Sequence, residues 1–286
     1  MNNILEVRDL RKSYGAFTLK DISFDVPKGY ICGFVGPNGA GKTTTIKMIL
    51  NIVRAESGSV KISGKDHGTE SNDKIGVVMD MPMYVDEWTV ADAGSAVSPF
   101  YAGWDSEKYA EYLHGFGLDP KKKVNELSRG MKIKLQIAAA LSHDARLLIL
   151  DEPTSGLDPA ARDEICDLLR EFVTDEDKSI LFSTHITSDL EKVADYITFI
   201  LDGEIVFTGR KDDLLEKYVR VTGGPEDAGE EHKKLIIGYR EYGEGFEGMI
   251  ETANIGKLPR GVPAEAVNLE EIIVFMNRGN ALNDEA

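Results

Sequence analysis

Gly36-Pro37-Asn38-Gly39-Ala40-Gly41-Lys42-Thr43 fits the pattern G-x-x-x-x-G-K-[ST], a loop that wraps a nucleoside triphosphate. Its flanks suit that use. Tyr30–Val35 reads as a short buried strand, and Thr44–Ile52 as a helix with Ile46, Ile49 and Leu50 on one side. Glycines let the backbone bend so that successive N–H groups face phosphate oxygens. The helix N-terminus adds partial positive charge at the same place. Lys42 is positioned to neutralise the β- and γ-phosphates, and the Thr43 hydroxyl to ligate Mg²⁺. The eight loop residues and Thr44 are therefore the expected contacts of a bound ATP or GTP.

Working outward, other segments bring chemistry to the same end of a sheet. Arg146–Leu150 is a nearly unbroken apolar run, as a strand buried on both faces requires, and it ends in Asp151-Glu152. Acids at the end of a buried strand beside a phosphate loop suit a metal-bound nucleotide. Asp151 is expected to hold Mg²⁺ through water, and Glu152 to activate an attacking water. Ser179–Thr184 is a further strand, followed at once by His185. In an open parallel sheet ligands gather at the carboxyl ends of strands, which places His185 with the loop and the acids. Ile75–Met79 is another strand, ending at Asp80. Ser128 is suited to cap a helix running to Leu141, in which Met131, Leu135 and Ala138 share a face. Asp158 and Pro159 make a sound start for a helix carrying Ala161, Ile165, Leu168, Leu169 and Phe172. Tyr14 lies between two alternating strands, Ile4–Leu10 and Leu19–Val26; by itself it reads either as a core or turn tyrosine or as a base-stacking one.

Composition bounds the class. The chain has 286 residues, 42% of them apolar, enough for one large domain or a domain plus a smaller one. A net charge of −16 argues against a nucleic-acid partner, since phosphate backbones are bound by a surplus of lysine and arginine. No apolar run approaches the ~18 residues that span a bilayer. The N-terminal residues carry no secretory signal pattern, so the expected location is cytoplasmic. Cys32 and Cys166 read as small core residues. Between Met81 and Val124 the spacing becomes helical and aromatic, with Trp88, Phe100, Tyr101, Trp104, Tyr109, Tyr112 and Phe116. Tyr196–Leu201 and Glu204–Phe207 form a hairpin about Asp202-Gly203. Beyond Lys211 the candidates are strands Tyr218–Thr222, Leu235–Tyr239 and Phe246–Glu251, a helix Leu269–Met276, and a disordered tail Asn280–Ala286. The expected fold is α/β, a P-loop NTPase with a mixed β-sheet core, a helical insert at about 81–142 within a domain 1–215, and a small C-terminal α+β appendage at 216–286.

The order of these motifs resembles the ATP-binding cassette (ABC) ATPases over roughly residues 4–210. Gly36–Thr43 is similar to their Walker A loop and Leu148–Glu152 to their Walker B strand with its glutamate. Leu127–Met131 resembles the LSGGQ signature, Ser155–Asp158 the D-loop, His185 the switch histidine and Tyr14 the base-stacking aromatic. The resemblance implies ATP and Mg²⁺ as cofactors and two cassettes, identical or different, facing head to tail. Each ATP would lie between one chain's Walker A loop and the partner's Ser128, Gly130 and D-loop Asp158. Glu152 would orient the water and His185 contact the γ-phosphate. A separate membrane permease would be driven by closing and opening, with this chain peripheral on the inner face of the membrane.

Three positions depart from the pattern. Asp80 stands where the family has glutamine, and is expected still to reach the metal. Arg129 replaces a glycine, leaving open whether it adds charge near the partner's nucleotide or points to solvent. Met131 replaces a glutamine. A lone cassette with an appended C-terminal domain is similar to bacterial ATPases of the drug- and bacitracin-export type. The competing reading is a soluble ABC ATPase of translation or DNA repair, but the usual paired cassettes, basic linkers and coiled coils are missing. A GTPase or kinase is disfavoured by Leu127–Met131, by His185 and by the lack of an N/T-K-x-D motif.

Overall fold

Two sheets share the first part of the chain. β1 (Asn3–Tyr14) and β2 (Phe17–Pro27) run antiparallel, with Leu5, Val7, Leu10, Ile22, Phe24 and Val26 buried. Their register slips between Val7 and Leu10, where Asp9 takes a left-handed φ of 52°, and again between Leu10 and Lys12, where Asp21 on the opposite strand takes φ 51°. The slips keep the apolar set on the core face although strict alternation is broken. β4 (Ser57–Ile62) and β5 (Lys65–Asp66) extend this sheet in the order β2-β1-β4-β5.

The second sheet holds β3 (Ile31–Val35), β6 (Ile75–Val78), β7 (Leu147–Asp151), β8 (Ser179–Thr184), β9 (Tyr196–Leu201) and β10 (Glu204–Arg210) in the order β10-β9-β3-β8-β7-β6. β3 pairs parallel with β8 and β9, and β7 with β6 and β8. β3, β7 and β8 are buried along their whole length, which explains the apolar runs of β3 and β7 and the Ile180-Leu181-Phe182 centre of β8. Phe24, Phe34, Ile46, Ile149 and Leu181 belong to one core between the sheets and α1 (Lys42–Ile49). α1 starts two residues ahead of the expected Thr44 because the phosphate loop runs directly into it.

The expected helical insert consists of α2 (Val90–Val97), α3 (Ser106–Gly115) and α4 (Arg129–Leu141). Its own core gathers Val90, Ala93, Tyr109, Leu113, Leu135 and Ala138, and the Tyr109 hydroxyl donates to Val90 O at 2.8 Å. α5 (Pro159–Phe172) and α6 (Thr187–Val193) cover other strands. Cys32 and Cys166 are free and buried, and burial pushes their thiols up to about 12 and about 11.

This computed structural model describes residues 2–67, 72–81, 83–224, 227, 229–243 and 245–283. Its contacts divide the chain into Met1–Thr208 and Gly209–Ala286. The division falls before α7 (Lys211–Lys217), whereas the boundary expected at 215/216 would cut that helix. The second unit adds β11 (Tyr218–Gly223), α8 (Glu230–Lys233), β12 (Ile237–Tyr242), β13 (Gly245–Glu251), β14 (Ala264–Ala266) and α9 (Leu269–Asn283). Its sheet order is β12-β13-β11-β14, with Val221, Ile236, Phe246 and Ile250 in the core. α9 continues to Asn283, so 280–283, expected in a disordered tail, are helical; 284–286 lie outside the described residues. Among the described residues no helix is long and apolar enough to cross a membrane.

Candidate functional site

β3 ends at Val35 and the chain turns at once into the phosphate loop. Two glycines there are required by close approach: a Cβ on Gly36 would collide with the Ile200 carbonyl oxygen, and one on Gly41 with the Leu19 side chain. Gly41 also has φ 110°, a conformation that L side chains rarely adopt. The loop curls back so that Lys42, 6% exposed, donates from Nζ to Gly36 O at 2.7 Å and Pro37 O at 3.2 Å. Burial pulls the pKa of this ammonium down, and the facing Glu152 opposes that shift.

The acids arrive on neighbouring strands. Asp151 is 2% exposed, and its Oδ2 accepts from the Thr43 hydroxyl at 2.8 Å. Its Oδ1 accepts from the Ser183 hydroxyl at 3.0 Å, since β7 and β8 pair Asp151 with Ser183 in register. Burial raises the Asp151 pKa, and the two hydroxyls pull it back. Glu152 sits at φ 53°, a left-handed conformation that costs a non-glycine residue about 1–3 kcal/mol. Several bonds hold it there. Its N–H donates to Ser183 O at 2.8 Å, and its Oε2 lies 2.7 Å from His185 Nδ1 and accepts from His185 N–H at 3.3 Å. Its Oε1 is 3.4 Å from Lys42 Nζ. The strained turn thus delivers a carboxylate between a lysine and a histidine.

These groups border a cleft of about 400 Å³ lined by Asn38, Gly39, Gly41, Lys42, Thr43, Thr44, Glu152 and His185, together with Phe17, Asp80 and Ser155. Phe17 was not singled out in the sequence, and Ser155 only as the first residue of the D-loop resemblance. Tyr14 is 47% exposed, with Lys12 Nζ 5.6 Å from its ring centroid, and it does not line the cleft. It is the direct cross-strand partner of Phe17 beside the β1–β2 turn.

Asp80 borders the cleft but is already engaged. Its Oδ1 accepts from Arg129 Nη2 at 2.6 Å. Arg129 is thus bonded within its own chain, and its stem lies over Gly156, where a Cβ would be 3.3 Å from its Cδ, Nε and Cζ. Ser128 and Gly130 do not line the cleft; Ser128 caps α4 by accepting from Met131 N–H at 3.3 Å. Asp158 caps α5 by accepting from Ala160 and Ala161 N–H groups at 3.0 and 3.1 Å.

The donors fit a magnesium ion. Mg²⁺ takes one or two protein oxygens along with phosphates and waters. Thr43 and Asp151 already meet, and a cation would relieve the desolvated carboxylate. Among the described residues no group of three acids, histidines or cysteines is placed to hold a metal ion.

The ABC transporter family profile matches residues 19–155. The lantibiotic transport ATP-binding protein SrtF of Streptococcus pyogenes is 35% identical over 212 residues, covering 73% of this chain and 92% of its own. The bacitracin transport ATP-binding protein BcrA of Bacillus licheniformis is 34% identical over 72% of this chain and 69% of its own. An uncharacterized ABC transporter ATP-binding protein, YdbJ of Bacillus subtilis, is 32% identical over 99% of this chain and 94% of its own, so it also spans the second unit. Among solved structures, an ATP binding subunit of an ABC transporter superposes with a TM-score of 0.65 at 28% identity, over 74% of this chain and 91% of that one.

Proposed function

This chain belongs to the ABC transporter family as an ATP-binding, ATP-hydrolysing subunit, and from that premise we propose how its residues divide the work. The observation that carries the proposal is the convergence of Lys42, Thr43, Glu152 and His185 on one cleft, with Glu152 in contact with Lys42 and His185 and with Asp151 bonded to Thr43. Lys42 leaves the loop carbonyls and Glu152 for the β- and γ-phosphates. Thr43 and Asp151 hold Mg²⁺, which supplies charge neutralisation on the phosphate oxygens. Glu152, released by Lys42 and kept in place by His185, orients a water in line with the γ-phosphate. Phe17 and Tyr14 form the edge on which the adenine stacks.

Ser128, Gly130 and Asp158 serve the nucleotide of a second cassette. Their position away from this chain's own cleft supports that reading. Closing on ATP and opening after hydrolysis drive a separate permease that holds this chain at the inner face of the membrane. The similarity to the lantibiotic and bacitracin transport proteins supports export.

Glu152→Gln tests the core of the proposal. Nucleotide binding should persist while hydrolysis falls by on the order of 10²–10⁴, as loss of a general base does. An ATP-bound dimer should accumulate in light scattering. Normal turnover would remove Glu152 from its role. Detergent extraction with the tagged Glu152→Gln chain and ATP should bring down a polytopic membrane protein in near-equal amount; soluble partners alone would overturn the transport reading.

A further inference from the structure

The loop after β6 is fastened to one face of α4 at three places of unequal strength. At its base, Met79 N–H donates to Gln136 Oε1 at 3.0 Å, and both residues are buried. Further along, Asp86 lies 3.7 Å from Lys132 Nζ, with side chains 62% and 41% exposed. Between them in the chain, Asp80 meets Arg129 at 2.6 Å, each side chain 50% exposed. Arg129, Lys132 and Gln136 recur at helical spacing, so one face of α4 makes all three contacts. The buried bond is a hinge: opening it takes the Met79 N–H away from its protein acceptor. The Asp80–Arg129 pair opens into solvent at little cost.

Asp80 is also the one member of this clasp that borders the cleft with Lys42 and Thr43, and it adjoins Glu152 both there and in a second cavity of about 250 Å³ against α4. Its carboxylate thus has two claimants, the Arg129 guanidinium and the magnesium side of the nucleotide cleft. Arg129 reaches in the other direction too, over Gly156 in the turn that leads to Asp158. We propose that Asp80 and Arg129 form an intrachain latch: magnesium nucleotide in the cleft draws Asp80 away, freeing Arg129 and with it the start of α4 and the 155–158 turn. Two residues that depart singly from the family pattern then make sense as a pair. The latch rests on the reading that the cleft takes a magnesium nucleotide.

The probe is a fluorescent ADP analogue on the full chain, at concentrations where light scattering reports a monomer, so that contacts between cassettes do not interfere. Arg129→Gln should lower the Mg²⁺ concentration for half-maximal binding by about two- to five-fold, the scale of an exposed ion pair. Binding in EDTA should be unchanged, and Arg129→Lys should fall between Arg129→Gln and the parent. Asp80→Asn should abolish the difference that Arg129→Gln makes, because the two act as one unit. Hydrogen exchange supplies a readout independent of affinity. Amides of 128–133 and 155–158 should exchange faster in the parent chain on adding Mg·ADP, and be fast already in nucleotide-free Arg129→Gln. Equal Mg²⁺ dependence in parent and variant, or no exchange response in the parent, overturns the latch. So does an equal weakening with and without Mg²⁺, which would make Arg129 a plain electrostatic contact. If none of the proteins binds the analogue, the nucleotide reading itself fails and the latch falls with it.

Discussion

Two arginine–aspartate pairs fasten helices in the first unit, and they are built on opposite terms. Arg162 of α5 grips Asp189 of α6 with a fork, Nη2 to Oδ1 at 2.6 Å and Nε to Oδ2 at 3.3 Å, and also reaches the Ser188 hydroxyl at 3.1 Å. The Asp189 side chain is 2% exposed. Arg129 offers Asp80 a single short contact with both side chains half in water. The first pair cannot open without leaving a buried carboxylate uncompensated, whereas the second loses only what solvent largely restores. The α5–α6 side of the cassette is therefore built to hold, and the α4 side to let go.

The largest effect expected follows from the first pair. Arg162→Ala should destabilise the chain by roughly 3 kcal/mol, because one partner of a buried pair is removed and the other stays behind. For a domain of this size that lowers Tm by roughly 6–12 °C in thermal denaturation. A drop of under about 2 °C would mean that Asp189 finds water or another donor readily, and the two pairs would then not differ in kind.

That contrast was invisible in the sequence, although much of the site was not. Gly36–Thr43, Asp151-Glu152 and His185 could be read because each is a local signal attached to a strand end, and β3 and β7 announce themselves by apolar runs. Asp80 and Arg129 lie 49 residues apart, and nothing local to either names the other. Phe17 is three residues from Tyr14, and only the folded β1–β2 hairpin shows that Phe17 and not Tyr14 borders the cleft. Ser183 looked like one more strand residue; its hold on Asp151 comes from the pairing of β7 with β8. β14, three exposed residues long, carries no pattern at all. Gln136 did leave a trace, a lone amide among Ile133, Leu135, Ile137 and Ala138 on a largely buried helix. A polar group in that position needs a partner, and Met79 N–H is the partner.

Gln136→Leu sharpens the comparison at the next level down. It leaves the buried Met79 N–H without its acceptor, a loss of about 1–3 kcal/mol. The cavity of about 250 Å³ lined by Met79 and Gln136 is large enough to admit water, which puts the expected value at the low end of that range. Denaturant melts at constant m-value would measure it. A neutral result would show that the loop after β6 has no fixed hinge and that its position depends on the surface charges alone.

Lys132→Gln should have the smallest effect and is the most discriminating of these. Its contact with Asp86 is long, 3.7 Å, and both side chains are solvent-exposed, Lys132 by 41% and Asp86 by 62%, so stability should change by no more than about 0.5 kcal/mol. The informative quantity is again the Mg²⁺ dependence of nucleotide binding. Asp86 lines the second cavity but not the cleft, so it has no claim on the metal side of the nucleotide. Removing Lys132 should therefore leave Mg²⁺ dependence unchanged even though it takes a positive charge from the same face of α4 as Arg129. A shift as large as that of Arg129→Gln would mean that the cleft senses the summed charge of α4, and the two exposed pairs would be a single diffuse clasp. An unchanged value assigns the release to one carboxylate, Asp80, because it alone of the two acids paired with α4 borders the cleft.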